Sequence, residues 1–423
     1  MEKHFEWATQ KVAFYSELFD TNAVNKRYFH HIFRFANSVL GEKIIPIELV
    51  ATFRQSSFIY HRKNESAIFF DLGQSFLLKS IFKTIASGRG FSALVEIFKQ
   101  SACLYIVNQD YNFASLLSKH PLVPYQNYYL CKESDLAFYA KIMSRYKEIL
   151  QSSEFYTLVD NFIIGHEIFH YLNHRKHSIE GFKKYSGEYF ENALNECCYE
   201  QRDDFAEIAS YYGRNPISKE GLEKIRSDLA SRRIDYIARK EKLIEEIECD
   251  YFAFLYMTRF IRRDQEKSIE SVKFFCNLFY ILFCFFDLHF AINRRFLHSI
   301  SSGISSTKPP DIADINLRKV ALVDIIWNYI YNNVLLPNNF GTKEINSLYV
   351  KFREDIFNFK SAIDNLYLMP ITKAFYDILE NGERIKDTIP KKKVYNFHIK
   401  DFAERVIKSG NLFNLEDHEG AFY

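Results

Sequence analysis

Apolar residues in this chain recur mostly at helical spacing, in long stretches that few turn residues interrupt. Around Phe29, Ile32, Phe33 and Phe35 the pattern predicts helix, and residues 1–60 read as mostly helical. A short strand is expected near Ile68–Asp71, then a helix from Gln74 to Ile85 and a strand at Cys103–Val107. From Tyr156 to Leu172 the apolar set is Leu158, Val159, Phe162, Ile163, Ile168, Phe169 and Leu172, without a proline. That run predicts a largely buried helix. Gly181, Gly187, Gly213 and Pro216 punctuate the stretch that follows, and Ser299–Pro310, rich in Ser, Gly and Pro, reads as a linker. The pattern thus predicts a mainly α chain (α+β) in three parts. These are an N-terminal helical region at 1–60, a core at 61–325 with a small edge sheet, and a helical appendage at 326–423 with one strand expected at Val394–Ile399.

Composition agrees with long regular elements. The chain has 423 residues with only 14 Gly and 9 Pro, and 42 Phe and 28 Tyr supply a large core. Lys+Arg 55 against Asp+Glu 53 leaves no field that would attract nucleic acid, so none is expected as a partner. The basic run Lys391-Lys392-Lys393 reads as a solvated turn. Seven cysteines, with no Cys-x-x-Cys pair, predict reduced thiols. Together with a polar start (Met1-Glu2-Lys3-His4) they point to a cytoplasmic protein. The most apolar run, Phe274–Phe286, is thirteen residues long and includes Asn277. Extending it to spanning length takes in Asp287 and His289, which are costly in hydrocarbon, so a buried helix is favoured over a membrane span.

The chemistry concentrates in the buried helix, where residues 166–170 read His-Glu-Ile-Phe-His. Two histidines four apart project from one helical face, so both imidazoles can reach one ion. The glutamate between them is placed to take a proton from an attacking water, which is the H-E-x-x-H pattern of zinc metalloproteases. In an apolar helix two histidines and a carboxylate are costly unless paired or coordinating. The plainer alternative is a pair of core histidines with Glu167 bonded to one of them.

Catalytic zinc usually takes three protein ligands and keeps an open position. Metzincins would need glycine at 173 and histidine at 176, where this chain has Asn173 and Lys176. A downstream carboxylate is the other solution, and two candidates exist. Glu196 follows His170 after 25 intervening residues and Glu246 after 75. Each has an acid four residues later (Glu200, Asp250) on the same helical face, where it could orient a ligating histidine. A solvated acidic face is the plainer reading of Glu246, which lies in the run Glu241, Glu245, Glu246, Glu248, Asp250. The apolar residues that follow, Tyr251–Leu255, argue that the helix enters a core there.

Glu246-x-x-x-Asp250-x-x-Ala253 resembles the E-x-x-A-D-x-x-A helix of gluzincin metallopeptidases, in particular the prenyl-protein and heat-shock membrane endopeptidase family. Cys249 stands where that family usually has alanine. Asn64–Gly73 is similar to its edge strand leading into a helix. Ser306-Thr307-Lys308-Pro309-Pro310 with Arg318 is similar to its S-T-H-P…R element, with lysine in place of histidine and the arginine further along. In plan the chain also resembles the phage-exclusion proteases of bacterial prophages. The resemblance covers residues 60–320 in outline. It implies a helical zincin-like metallopeptidase core, Glu246 as third ligand, a protein or peptide substrate entering as an extended strand, and a bacterial stress or phage-defence setting.

The expected activity is therefore zinc-dependent peptide hydrolysis. Zn²⁺ on His166, His170 and Glu246 would acidify water and polarise the scissile carbonyl. Glu167 would act as general base and then hand the proton to the leaving amine. His174, His177, Arg318 and several tyrosines are candidates for stabilising the oxyanion, and His174, Asp287 and His289 for outer-sphere roles. Two rivals stand beside this reading: a non-catalytic interaction or sensor protein with a structural zinc, and a membrane-associated protease. Intact Glu167 argues against the first, since a structural site has no use for it.

Overall fold

A computed structural model describes residues 30–40, 47–50, 56–62, 65–87, 91–107, 110–119, 133–174, 180–207, 217–258, 313–338 and 340–371, with isolated residues besides. These fall into two compact units. The first lies within Met1–Tyr171, Asn277–Pro310 and Val350–Tyr423, the second within Leu172–Cys276 and Asp311–Tyr349.

The first unit is built on a three-stranded sheet and the helices around it. The strands are β1 (Ile47–Val50), β2 (Phe58–Arg62) and β3 (Glu65–Asp71), in the order β1-β3-β2. β1 runs parallel to β3 with Ile47 opposite Ile68, and β2 antiparallel with Phe58 opposite Phe69. The Phe58 and Phe69 rings stack at 5.0 Å between centroids. Central β3 is buried from Ser66 to Asp71, on both faces of the pleat. Asp71 then ends the strand and caps the next helix, because its Oδ1 accepts from the Gly73 amide at 2.8 Å. Its Oδ2 accepts from the Ser56 amide at 2.9 Å, which ties the loop before β2 to the same point.

The helices of this unit are α1 (His30–Leu40), α2 (Leu72–Ser87), α3 (Phe91–Ile106), α4 (Tyr111–Lys119), α5 (Glu133–Ser144) and α6 (Ser153–His174). α2 is buried almost all round, which a helix can be only when neighbours cover every side. It packs against β1, α3 and the short 3₁₀ turn Ile149–Gln151, and α3 packs in turn on α4.

The second unit is a helical bundle. It comprises α7 (Glu180–Cys197), α8 (Lys219–Ala238), α9 (Lys240–Thr258) and α10 (Ala313–Ile330), with the start of α11 (Thr342–Ile363), whose remainder belongs to the first unit. α7, α9 and α10 pack on one another, with α8 alongside α7 and α9. Phe190 and Leu194 of α7, Leu243, Ile247 and Phe254 of α9, and Leu317, Ala321 and Ile325 of α10 are buried there. Tyr189 of α7 meets the ring of Tyr251 on α9 at 5.8 Å and accepts from Asn328 Nδ2 of α10 at 2.9 Å, so one residue touches both neighbouring helices.

The mainly helical composition with a small sheet agrees with the pattern in the sequence. The strand expected near Ile68–Asp71 and the helix over Gln74–Ile85 lie inside β3 and α2. Three expectations change. Cys103–Val107 ends a helix rather than forming a strand, because Leu94, Val95, Phe98 and Ala102 extend its apolar pattern at helical spacing. A short apolar run does not separate buried helix from buried strand, and its length decides. Within 1–60, β1 and most of β2 are strand, since alternating short runs there complete the sheet around β3. Gly181 and Gly187 do not break the chain but sit within α7. The linker at Ser299–Pro310, Gly213, Pro216 and the strand at Val394–Ile399, except Ile399 itself, lie outside the described residues, as does Phe274–Phe286 apart from Leu282. Among the described residues no helix is long and apolar enough to cross a membrane.

Candidate metal centre

α6 enters the first unit as a buried rod. From Phe155 to Gly165 only Thr157 and Leu158 are partly exposed. Beyond Gly165 one face emerges: His166, Glu167, His170 and Tyr171 are half-buried while Ile168 and Phe169 stay covered. Apolar residues on the other faces hold the helix down, so its accessible face is the one carrying the chemistry. Positions 166 and 170 differ by about 40° around the axis, which brings the imidazoles side by side. Their ring centroids are 4.9 Å apart with planes 76° from parallel. Glu167 lies next to them, one residue on. His174, one turn further, is exposed at the end of the helix.

Both candidate carboxylate ligands are on helices of the second unit. Glu196 is exposed on the last turn of α7, and the acid four residues after it is already engaged. Glu200 is buried against Arg233, whose Nε donates to its Oε1 at 2.5 Å, while the Arg233 guanidinium also binds the Cys198 carbonyl. Glu246 is half-buried on α9, and it belongs to an ion cluster rather than to a solvated face. Arg318 of α10 forks onto Asp250, Nε to Oδ2 and Nη2 to Oδ1 both at 2.7 Å, and its Nη1 lies 3.2 Å from Glu246 Oε2. Burial disfavours the charge on Arg318, but the Asp250 and Glu246 carboxylates outweigh it and push the guanidinium pKa up. Asp250, 2 % exposed, is thereby satisfied, and a carboxylate such as Glu246 has a second oxygen that can serve another partner.

Cys249, also on α9, is buried. In the sequence Cys249 stands out only as the residue replacing a family alanine, although its place three after Glu246 puts both on neighbouring positions of one helical face.

Compared with protein-family models, with curated proteins and with solved structures, the chain matches none.

The remaining candidates separate. His177, Asp287 and Ser306–Pro310 lie outside the described residues. His289 is buried in the first unit with its Nδ1 3.1 Å from Ser101 Oγ on α3. Burial pushes its pKa down to about 3, against about 6.5 in an unfolded chain. The unfolded state therefore takes up a proton between those values that the folded state refuses, and stability falls as pH drops below about 6.5. Melting curves between pH 7 and 4 should show this, at up to about 1.4 kcal/mol per pH unit. His289→Gln should flatten the dependence, and an unchanged slope in that variant would assign it to other groups.

Proposed function

We propose that the chain is a zinc-dependent endopeptidase that cleaves peptide bonds of a protein substrate. The observation that carries this reading is that His166, Glu167 and His170 are half-buried together where α6 emerges from the covered stretch Val159–Gly165. His166 and His170 hold the ion in this reading, and α9 supplies the third ligand. Glu246 is that ligand by its resemblance to the gluzincin pattern, with one carboxylate oxygen steadied by Arg318. Bound zinc supplies a Lewis acid for the scissile carbonyl and makes water acidic enough to ionise near neutral pH. Glu167 supplies the proton transfers. Its carboxylate accepts a proton as water oxygen adds to the carbonyl carbon, and returns it to the amide nitrogen as the C–N bond breaks. It ends the cycle as it began, ionised. A bacterial stress or phage-defence setting fits the same resemblance.

The second reading is a non-catalytic interaction or sensor protein with a structural zinc site, for which Cys249, a buried free thiol, is a candidate ligand by its chemistry. Thiolates are common ligands of structural zinc. Single variants separate the ligand sets. Glu246→Ala should weaken zinc binding by more than the roughly 10–100-fold that loss of an outer-sphere partner costs, while Cys249→Ala and Glu196→Ala leave it bound. Zinc per chain after dialysis against a weak chelator is the measurement. Loss of zinc from Cys249→Ala with retention in Glu246→Ala would put the thiolate in the third position. Loss from Glu196→Ala alone would move the ligand to α7.

A further inference from the structure

Two turns before Glu167, α6 carries a charge into the protein interior. Asp160 is 0 % exposed, as are Lys79 and Ser75 of α2. The Lys79 ammonium donates to Asp160 Oδ2 at 2.6 Å, and Ser75 Oγ donates to Oδ1 at 2.6 Å. From α1, His31 Nε2 reaches Oδ2 at 3.0 Å. Burial acts to raise the Asp160 pKa, but the Lys79 and His31 partners outweigh it and hold the carboxyl below the usual range. The group is thus a carboxylate in the folded protein, bonded to two other helices.

Burying both members of an ion pair is seldom more stabilising than apolar side chains of the same size. What a buried, fully bonded pair adds is direction, since its hydrogen bonds are met in one arrangement, whereas apolar contacts tolerate sliding and rotation. No substrate reaches Ser75, Lys79 or Asp160, so whatever the cluster does it does through α6. Asp160 and Glu167 are seven residues apart, about 20° from lying on one line along the helix. The line that sinks into the cluster at Asp160 is therefore the line that surfaces at Glu167, with His166 and His170 beside it. A small rotation of α6 would turn all three away from a common point.

We propose that Asp160 is a positioning residue for the metal-binding face, its bonds to Lys79, Ser75 and His31 fixing the rotation and register of α6 and so the directions of His166, Glu167 and His170. This rests on the reading of that face as a zinc site, although the cluster itself touches neither metal nor substrate.

The experiment uses the full chain with Lys79→Met and Asp160→Leu combined, which removes both charges at little change in volume and should keep the melting temperature near wild type. Co²⁺ is the probe, because its visible spectrum reports ligand geometry separately from stability. The expected result is a folded double variant that binds Co²⁺ about 10–100-fold more weakly, with an altered spectrum. Affinity within twofold of wild type and an unchanged spectrum would overturn the proposal and leave the cluster a packing feature. Should the double variant not fold, Ser75→Ala keeps the ion pair and removes one bond. It is expected to lower the melting temperature modestly, because Asp160 Oδ1 loses its donor, and to weaken Co²⁺ binding severalfold, with Ser75→Thr restoring both. Co²⁺ affinity and spectrum unchanged in Ser75→Ala would again overturn the claim. If wild type binds neither Co²⁺ nor Zn²⁺, the zinc reading falls on its own. The positioning claim is then decided by the His166 and His170 ring signals in NMR spectra of the metal-free protein. They shift in the folded variants if α6 has turned and stay fixed if it has not.

Discussion

Glu167→Gln is expected to leave zinc content and melting temperature at wild-type values while peptide-bond cleavage disappears. Glutamine is nearly isosteric with glutamate but accepts no proton at neutral pH, and Glu167 is not a ligand in the proposed scheme. General acid–base assistance alone is worth ~10²–10⁴-fold, so the loss should be plain even against an imperfect substrate. Expression of wild type and variant in cells, followed by a search for newly cleaved proteins, provides the assay. Cleavage or toxicity equal in the two would remove Glu167 from the chemistry and bring the structural-zinc reading forward. Because Glu167 is half-buried and beside the histidines, the variant must first be shown to hold its metal.

The largest effect on stability is expected at Arg318. Replacing it with methionine deprives Asp250, 2 % exposed, of a two-pronged partner and removes the guanidinium beside Glu246. Breaking a buried pair from one side typically costs about 3–5 kcal/mol, because the carboxylate left behind keeps its desolvation cost. For a chain of this size that lowers the melting temperature by about 3–6 °C. Arg318→Lys should recover only part of the loss, since an ammonium cannot meet both Asp250 oxygens in the plane of the carboxylate. Asp250→Asn combined with Arg318→Met should cost less than the two separate losses added together, which a double-mutant cycle would measure. A melting temperature within about 2 °C of wild type for Arg318→Met would contradict the ion cluster as described.

Local pattern is enough to make the histidine-bearing helix legible. The apolar run from Leu158 to Leu172 specifies a buried helix, and five residues within it specify the spacing of two imidazoles and a carboxylate. β3 and α2 are legible for the same reason, a strand-length apolar segment followed by a long helical one. Cys103–Val107 misleads because a short apolar segment resembles a strand when the turns before it, which place it on the same buried helix, are left aside. What pattern does not carry is the long-range pairing of charges. Nothing near Asp160 in sequence names Lys79, 81 residues away, or His31, 129 away. The one signal in the sequence is Asp160 itself, a carboxylate standing between Val159 and Phe162 in a covered helix, which has to find a cation. Arg318 is the mirror case. The resemblance to the S-T-H-P…R element includes it only at a shifted position, its distance along the chain hides its partner on α9, and the packing of α9 on α10 joins them.

The metal content of the 423-residue protein, purified without chelator and compared with His170→Ala prepared in parallel, tests the central claim most directly. One zinc per chain in wild type, and close to none in a His170→Ala protein that melts as a folded chain, is the result this account predicts. A well-folded wild-type protein that holds no zinc and takes up none when it is supplied would contradict it, and the His-Glu-x-x-His run would then be a chance sequence on a buried helix.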